Sequence, residues 1–239
     1  MTGKLLRIFF PESCPICKNP STEHEIAPIC QACWNEISPY NGPLCKICGK
    51  PLVSEVSIIC GECISDKPAF KYARSFGLYE GTLKEAINLW KYHGIKRLSR
   101  PLAQMLLRMK ILDINPAPPW WEVDVILPVP LHKRKLRQRE FNQSALLARH
   151  LGRRLGISVI YNCLIKLRDA LPQVELSGED RRKNVRGAFG VRNKGLIQEK
   201  NLLLVDDVFT TGATVRECCR VLKKVGAGDI YVITLTTAF

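Results

Sequence analysis

The stretch Leu202–Thr214 reads LLLVDDVFTTGAT. Its first four residues are all apolar, which predicts a buried strand over 202–205. Two carboxylates follow at Asp206 and Asp207, and a turn rich in threonine and glycine then opens an amphipathic helix predicted over 213–225. Wound α/β sheets bind ligands at the carboxyl ends of their strands. The stretch therefore predicts both such a sheet and a ligand site at its edge.

The turn has the chemistry of a phosphate site. A helix N-terminus offers free backbone N–H groups and a positive dipole, Gly212 allows the backbone to approach closely, and threonine hydroxyls add donors. Asp206 and Asp207 cannot bind that phosphate, but they can accept hydrogen bonds from a diol near a divalent cation. Phosphate, diol and cation together describe a ribose 5-phosphate. The alternative is that the turn serves only as the N-cap of the helix and that both acids are exposed to solvent, with no ligand bound.

Strand and helix patterns alternate after residue 67. The periodicity predicts strands over 73–79, 123–129, 158–167, 202–205 and 230–235. It predicts helices over 82–92, 99–111, 143–155 and 213–225, with a proline-rich break at 116–119 and a basic loop over 130–139. This alternation is typical of an α/β fold with a wound, mainly parallel sheet.

Eight of the eleven cysteines form four C-x-x-C pairs. The pairs are Cys14/Cys17, Cys30/Cys33, Cys45/Cys48 and Cys60/Cys63. Two such knuckles complete a tetrahedral four-thiolate shell, so we predict a small domain over 1–67 that holds two structural zinc ions. Disulfides, a redox pair or iron are the alternatives. Chain order favours joining the first two pairs and the last two, while an interleaved arrangement also satisfies the spacing.

The charge of the chain is uneven. Lysine and arginine number 36 against 22 acidic residues, which gives a net charge of +14. Residues 1–67 carry six basic and seven acidic residues, so the whole excess lies in residues 68–239. This asymmetry favours a polyanionic ligand, nucleic acid or phosphate-rich substrates, with solubility as the alternative. Because the sequence has neither an apolar run of transmembrane length nor a signal-peptide pattern, we expect a cytoplasmic protein.

The stretch 202–214 resembles the motif by which type I phosphoribosyltransferases bind phosphoribosyl pyrophosphate (PRPP). Further segments resemble the ComF family of competence proteins. They are VPLH at 129–132, REFNQ at 139–143, Gln173, LS at 176–177 and RRKNVRGAF at 181–189. The resemblance implies an α/β, type I phosphoribosyltransferase-like domain over 68–239, preceded by a small double zinc-ribbon domain over 1–67.

The resemblance also implies roles for individual residues. Asp206 and Asp207 would hold the ribose hydroxyls near Mg²⁺, and the 5-phosphate would lie on Thr210, Thr211, Gly212, Ala213 and Thr214. The segment 130–139 takes the place of the pyrophosphate loop, where the side chains suited to a diphosphate are Lys133, Arg134, Arg137 and Arg139. A solvated basic loop is the alternative. Residues 168–189 resemble the loop that closes over PRPP, and its candidate catalytic residues, beside the two acids, are Arg168, Gln173, Arg182 and Asn184.

Two positions depart from the family pattern. Glu140 stands where the family has glycine, and if that position needs a positive φ, glutamate strains the turn. Its charge would also oppose pyrophosphate. Ala170 stands where the family often has threonine, which removes one hydroxyl from the closing loop.

Three functional hypotheses follow. In the first, the resemblance implies a PRPP-binding protein associated with single-stranded DNA uptake or processing in natural transformation, with possible partners in the competence machinery at the cytoplasmic face of the membrane. In the second, the protein is an active phosphoribosyltransferase that releases pyrophosphate from PRPP. In the third, it senses PRPP or a nucleotide and recruits a partner through its zinc ribbons.

Overall fold

The computed structural model describes residues 12–53, 56–109, 120–168 and 184–238. The cysteine-rich part contains little regular structure, namely an antiparallel strand pair and two short helices that begin directly after Cys30 and Cys60. These elements are β1 (Glu12–Ser13), β2 (Pro20–Ser21), α1 (Gln31–Asn35) and α2 (Gly61–Ser65). Within the described ranges, no helix combines the length and apolarity needed to cross a bilayer.

The rest of the chain alternates strands and helices. The helices are α3 (Gly81–Tyr92), α4 (Ser99–Arg108), α5 (Lys133–Arg139), α6 (Gln143–Leu155) and α7 (Ala213–Lys224). The strands are β3 (Tyr72–Leu78), β4 (Val125–Pro128), β5 (Ser158–Val159), β6 (Leu164–Lys166), β7 (Phe189–Val191), β8 (Leu202–Phe209) and β9 (Ile230–Thr237).

Five strands form one sheet in the order β3-β9-β8-β4-β5, and every pair in it is parallel. The strands β6 and β7 form a separate antiparallel pair. The predicted fold class, a wound parallel sheet in an α/β domain, is confirmed.

The two faces of the sheet bury separate cores. Leu203 and Val205 of β8 join the cluster that contains residues of α3, α4 and α6, whereas Leu202 and Leu204 join the cluster that contains residues of α7. This alternation follows from the two-residue period of a strand. The zinc-ribbon part contributes to both: Cys14, Cys30 and Cys33 belong to the first cluster, and Cys45, Cys48 and Cys63 belong to the second.

Three predicted elements differ from the structure. The central strand β8 continues through the two acids to Phe209, because β9 is equally long and pairs with it up to Thr237. The predicted basic loop contains the helix α5, whose first turn is capped by His132 Nδ1, which accepts a hydrogen bond from the Arg134 backbone N–H at 3.4 Å. The predicted strand over 158–167 divides into β5 and β6, which lie in different sheets.

Candidate functional site

The strands β4 and β8 are neighbours, but their following connections leave in opposite directions. The chain passes from β4 to β5 on one side and from β8 to β9 on the other. In parallel sheets, such a switch point opens a crevice at the carboxyl ends of the strands. Pro128 is the last residue of β4 and lies opposite Val205, so Asp206 and Asp207 lie just beyond this last pair, beside the crevice.

The acid pair is held by side chains from two distant helices. Ser144 Oγ, at the start of α6, donates to Asp206 Oδ1 at 2.9 Å, and the Asp207 backbone N–H donates to the same oxygen at 2.9 Å. Lys91 Nζ, at the end of α3, lies 2.7 Å from Asp207 Oδ1, with the two side chains only 11% and 13% exposed. Both carboxylates are therefore fixed in place before any ligand arrives.

Lys91 and Ser144 were not among the predicted site residues. Lys91 is marked in the sequence only as a lysine near the end of the helix predicted over 82–92, and Ser144 only as the residue after REFNQ. Neither signal indicates contact with an acid far along the chain.

Asp206 ionises less readily than an ordinary carboxyl group. Burial, and after it the negative charge of Asp207, raises the pKa of Asp206 from 3.8 to about 7, although the hydrogen bonds from Asp207 N–H and Ser144 oppose the rise. Asp206 therefore exchanges its proton near neutral pH, where a cation or a diol would compete for the same oxygens.

This raised pKa predicts a pH-dependent stability. Protonated Asp206 stabilises the fold fully below about pH 4, and this stabilisation is lost as the pH rises through about 7. Between about pH 6 and pH 8 we expect its loss to lower the free energy of unfolding by about 1 kcal/mol. Urea unfolding at both pH values, without Mg²⁺, would show a smaller fall for Asp206→Asn than for the wild type. An equal fall in both proteins would contradict the assignment.

The turn after β8 places a glycine in the left-handed conformation at the start of α7. Gly212 has a φ of +69° and precedes α7 directly, and a Cβ at this position would lie 2.5 Å from the Phe209 ring. Thr211 Oγ1 accepts a hydrogen bond from the Ala213 backbone N–H at 3.4 Å. Of the predicted phosphate residues, Gly212 and Ala213 are buried and Thr210 is exposed, while Thr211 and Thr214 are half-buried.

The four predicted diphosphate residues lie on α5, after the crevice strand β4. Lys133, Arg134 and Arg137 are exposed, and Lys133 lines a cavity beside the crevice. Arg139 is half-buried: its guanidinium lies 5.1 Å from the centre of the Tyr92 ring and donates to Gln143 Oε1 at 3.4 Å. Arg139 is thus the most firmly positioned of the four.

Glu140 ends α5 in a strained conformation. Its φ is +63°, so the condition under which glutamate strains the turn is met, and the family's glycine would relieve the strain. Its carboxylate lies 3.1 Å from Lys96 Nζ, an exposed pair that partly offsets the negative charge near α5.

Replacing Glu140 with glycine should therefore stabilise the protein. A left-handed conformation is unfavourable for a residue with a Cβ by about 1–2 kcal/mol, and the greater freedom of glycine in the unfolded chain offsets part of that gain. We expect Glu140→Gly to raise the free energy of unfolding by about 0.5–1 kcal/mol in urea denaturation. Glu140→Gln, which keeps the strain and removes the charge, is the matched control. Equal effects of the two substitutions would show that charge, not backbone strain, dominates.

Only the ends of the predicted closing loop fall in the described ranges. Arg168 donates from Nη2 to the Arg186 carbonyl oxygen, and the Gly187 backbone N–H donates to Glu217 Oε1 of α7 at 2.6 Å. Asn184 is half-buried next to this base. The predicted residues Gln173 and Arg182, and the departure at Ala170, lie outside the described residues.

A cavity of about 390 Å³ lies beside β4 and α5. Pro130 and Lys133 line it from the segment after β4, while Tyr161, Lys166 and Arg192 line it from the region of β6 and β7. It combines an aromatic ring, apolar side chains and amines, which suits a small polar ring compound.

The eight paired cysteines form two groups, each with all four sulfur atoms within 4.8 Å of one another. Cys17 and Cys30 Sγ are 3.4 Å apart in the first group, and Cys48 and Cys60 Sγ are 3.6 Å apart in the second. Zinc–sulfur bonds of about 2.3 Å in a tetrahedron require sulfur atoms about 3.8 Å apart, so both groups fit a zinc ion. The pairing is sequential, as chain order favoured, and these closed shells fit two structural zinc ions.

The second zinc site is built onto the sheet. The Ala73 backbone N–H of β3 donates to the Ile47 carbonyl oxygen at 2.8 Å. Arg74, with 1% exposure, donates from Nη2 to the Lys46 carbonyl oxygen at 3.0 Å. From α7, Arg216 Nη2 lies 3.4 Å from Cys63 Sγ. Two guanidinium groups therefore face a four-thiolate site whose net charge with Zn²⁺ is negative.

Comparison with known proteins supports both parts of the chain. Residues 5–64 match the double zinc ribbon domain family, and residues 142–238 match the phosphoribosyl transferase domain family. Neither match reaches the predicted domain boundary at 67/68, which stays a prediction.

Relatives match along nearly the whole chain. The chain is 31% identical over 211 residues to Competence protein F of Haemophilus influenzae, covering 88% of this chain and 90% of that protein. It is 29% identical to the DNA utilization protein YhgH of Escherichia coli K12, covering 93% and 95% of the two chains. It is 26% identical to Competence protein ComFC of Bacillus subtilis, covering 87% and 83%. The chain therefore belongs to the ComF family of competence proteins.

Proposed function

We propose that this protein binds PRPP and is associated with the uptake or processing of single-stranded DNA in natural transformation. The observation that carries the PRPP half is the acid pair Asp206 and Asp207, held beside the crevice one short turn before the glycine that opens α7. The DNA half is supported by the names of the full-length relatives and by the net charge of +14.

On this proposal each group of the site has one task. Asp206 and Asp207 accept hydrogen bonds from the ribose hydroxyls, and the turn 210–214 donates its backbone N–H groups and hydroxyls to the 5-phosphate. The amines of α5, with Arg139 the best positioned, attract the diphosphate. Mg²⁺ would neutralise diphosphate charge beside the two acids. The site would therefore contact PRPP at its 5-phosphate, at its ribose hydroxyls and at its diphosphate.

Lys91 takes the place of a bound cation beside Asp207. Its ammonium group neutralises Asp207 at 2.7 Å in a nearly buried position, and this limits the repulsion between adjacent carboxylates. A ligand that brings its own cation must compete with this contact.

A second candidate function, phosphoribosyl transfer, is favoured by the cavity of about 390 Å³ beside the crevice. An acceptor bound there would form a bond to the ribose C1 atom while the bond from C1 to the diphosphate oxygen breaks. Pyrophosphate leaves, and the acceptor loses a proton. The DNA-associated and enzymatic functions share the PRPP site and differ in whether turnover follows.

Calorimetric titration of PRPP into the zinc-loaded protein, with and without Mg²⁺, tests the shared site. We expect saturable, Mg²⁺-dependent binding. The absence of binding would overturn both candidate functions at this site.

Anisotropy with a labelled single-stranded oligonucleotide tests the DNA half, and pyrophosphate release with a panel of bases tests transfer. On the main proposal the protein works in the cytoplasm beside the proteins that deliver the incoming strand.

A further inference from the structure

A groove lined by arginine runs between α4 and α6. Its volume is about 510 Å³, and Ala103 and Leu107 of α4 form part of its apolar lining. The basic and imidazole side chains that line it are Arg100, Arg108, His150, Arg153 and Arg154. The two helices are in contact where Ser99 Oγ lies 3.4 Å from His150 Nε2.

The positive charge of this groove is mostly unneutralised. Arg100 pairs with Glu25 at 3.0 Å, with both side chains more than half exposed. Arg108, Arg153 and Arg154 are exposed and form no ion pair with any residue in the described ranges. The groove lining in those ranges contains no acidic residue.

The arginines of the groove also affect the ionisation of His150. Burial lowers the pKa of its imidazole, and the positive charges of Arg149, Arg153 and Arg100 lower it further. The guanidinium groups therefore create a positive electrostatic potential in one partly desolvated groove, and this potential favours the binding of an anion there.

The groove is separate from the phosphoribosyl crevice. Ser144, which bonds Asp206, lies in the first turn of α6, whereas Arg153 and Arg154 lie in its last turn. Nine or ten residues at 1.5 Å each place the two ends about 14–15 Å apart along the helix axis. Because α6 leads from the carboxyl end of β4 back to the start of β5, its last turn lies at the amino edge of the sheet. A ligand of the groove need not displace a ligand of the crevice.

We propose that this groove binds the sugar–phosphate backbone of single-stranded nucleic acid, and that it does so while the phosphoribosyl crevice is occupied. This inference rests on the proposed DNA association and assigns that association to a surface. Arginine forks match phosphate oxygens, and Arg100 and Arg108 span about 12 Å of helix, more than a single phosphate requires.

The shape of the groove supports a single strand. Packed helices lie about 8–10 Å apart, so the groove between them is too narrow for a duplex. A concave surface is also poorly matched to a flat lipid bilayer. Since the lining has no Phe, Tyr or Trp in the described ranges, we expect little preference for base sequence.

Fluorescence anisotropy with labelled oligodeoxythymidylate tests the proposal on the zinc-loaded protein. The groove variant is Arg108→Gln/Arg153→Gln/Arg154→Gln. The matched control removes three exposed lysines elsewhere, as Lys84→Gln/Lys194→Gln/Lys224→Gln. We expect the groove variant to bind about tenfold or more weakly than the control. We also expect its plot of log affinity against log salt to be shallower by about 2, from three lost phosphate contacts. Saturating PRPP and Mg²⁺ at matched ionic strength should leave wild-type oligonucleotide binding unchanged.

The outcomes separate this inference from the proposed function. If the wild type binds the oligonucleotide and both variants weaken it equally, net charge explains the binding and the groove is refuted. If PRPP displaces the oligonucleotide, the nucleic acid lies over the crevice and the proposed separation is wrong. In both cases the DNA association survives. If the wild type binds no oligonucleotide, the inference and the DNA half of the proposed function fail together, and binding to anionic vesicles in a parallel assay would then identify a lipid surface as the ligand.

Discussion

Replacing Asp206 and Asp207 together with asparagine is expected to weaken Mg²⁺-dependent PRPP binding by at least about a hundredfold. Asparagine keeps the size of the side chains, and its oxygen can still accept the Ser144 hydrogen bond seen at 2.9 Å. It removes the negative charge of Asp207, and also that of Asp206 wherever this carboxyl group is ionised. Hydrogen bonds to charged groups contribute about 1.5–3 kcal/mol each, so two of them amount to about 3–6 kcal/mol, or roughly a 100-fold to 20,000-fold change in affinity. Isothermal calorimetry measures the change.

Two control variants separate the possible causes of this loss. Asp229→Asn makes the same chemical change at the opposite edge of the sheet, where Asp229 precedes β9 and pairs with Lys71 at 2.8 Å, and it should leave PRPP binding intact. Lys91→Met removes the ion pair with Asp207 while keeping both carboxylates. Retained binding in the double asparagine variant would contradict the assignment of the acid pair to the ribose. Equal loss in Lys91→Met would show that the ion pair, not the carboxylates themselves, builds the site.

Local sequence signals predict much of this site. The turn over 210–214 needs a glycine with positive φ before α7, and Gly212 has it, at +69°. The bounds predicted for α6 agree with the structure, since Asn142 provides an N-cap and Gly156 a left-handed C-cap. Such features are encoded within one turn of the chain, where the identity of one residue decides the conformation of its neighbours.

Contacts between distant elements escape the same reasoning. Lys91 and Asp207 are 116 residues apart, and their contact depends on α3 reaching the carboxyl end of β8 across the sheet. No spacing rule specifies that approach. The helix α5 was missed for a different reason: its N-cap is His132, a residue type that seldom signals a helix start. The pairing of the zinc knuckles was left open by spacing and required the positions of the sulfur atoms.

Removing the second zinc site by Cys45→Ala/Cys48→Ala is expected to have the largest effect on the fold. Structural zinc contributes about 10–16 kcal/mol to the folding of small zinc-binding units. Here the site also supports the sheet: its backbone pairs with β3 through the Ala73–Ile47 hydrogen bond of 2.8 Å. A Cβ at Gly49 would lie 2.5 Å from the Ala73 carbonyl oxygen, so the knuckle packs directly on the strand. We expect one zinc ion per chain instead of two, and faster hydrogen exchange throughout β3.

The same loss should affect two arginines, Arg74 of β3 and Arg216 of α7, the helix that follows the turn over 210–214. Without the thiolates, Arg74 keeps its buried guanidinium with less negative charge nearby, and an uncompensated buried charge is strongly unfavourable. Cys63 remains in this variant, but without zinc its sulfur is no longer held as a metal-bound thiolate, so its 3.4 Å contact with Arg216, a tether of α7, weakens. Hydrogen exchange in α7 should therefore rise as well. Cys14→Ala/Cys17→Ala is the matched control, because the first site packs in the cluster with α3, α4 and α6, whereas the buried residues of α7 belong to the other cluster. An equal rise of hydrogen exchange in α7 in both variants would mean that Arg74 and Arg216 do not specifically couple the second zinc site to α7. Unchanged hydrogen exchange in β3 after loss of the second zinc site would show that this site does not support the sheet.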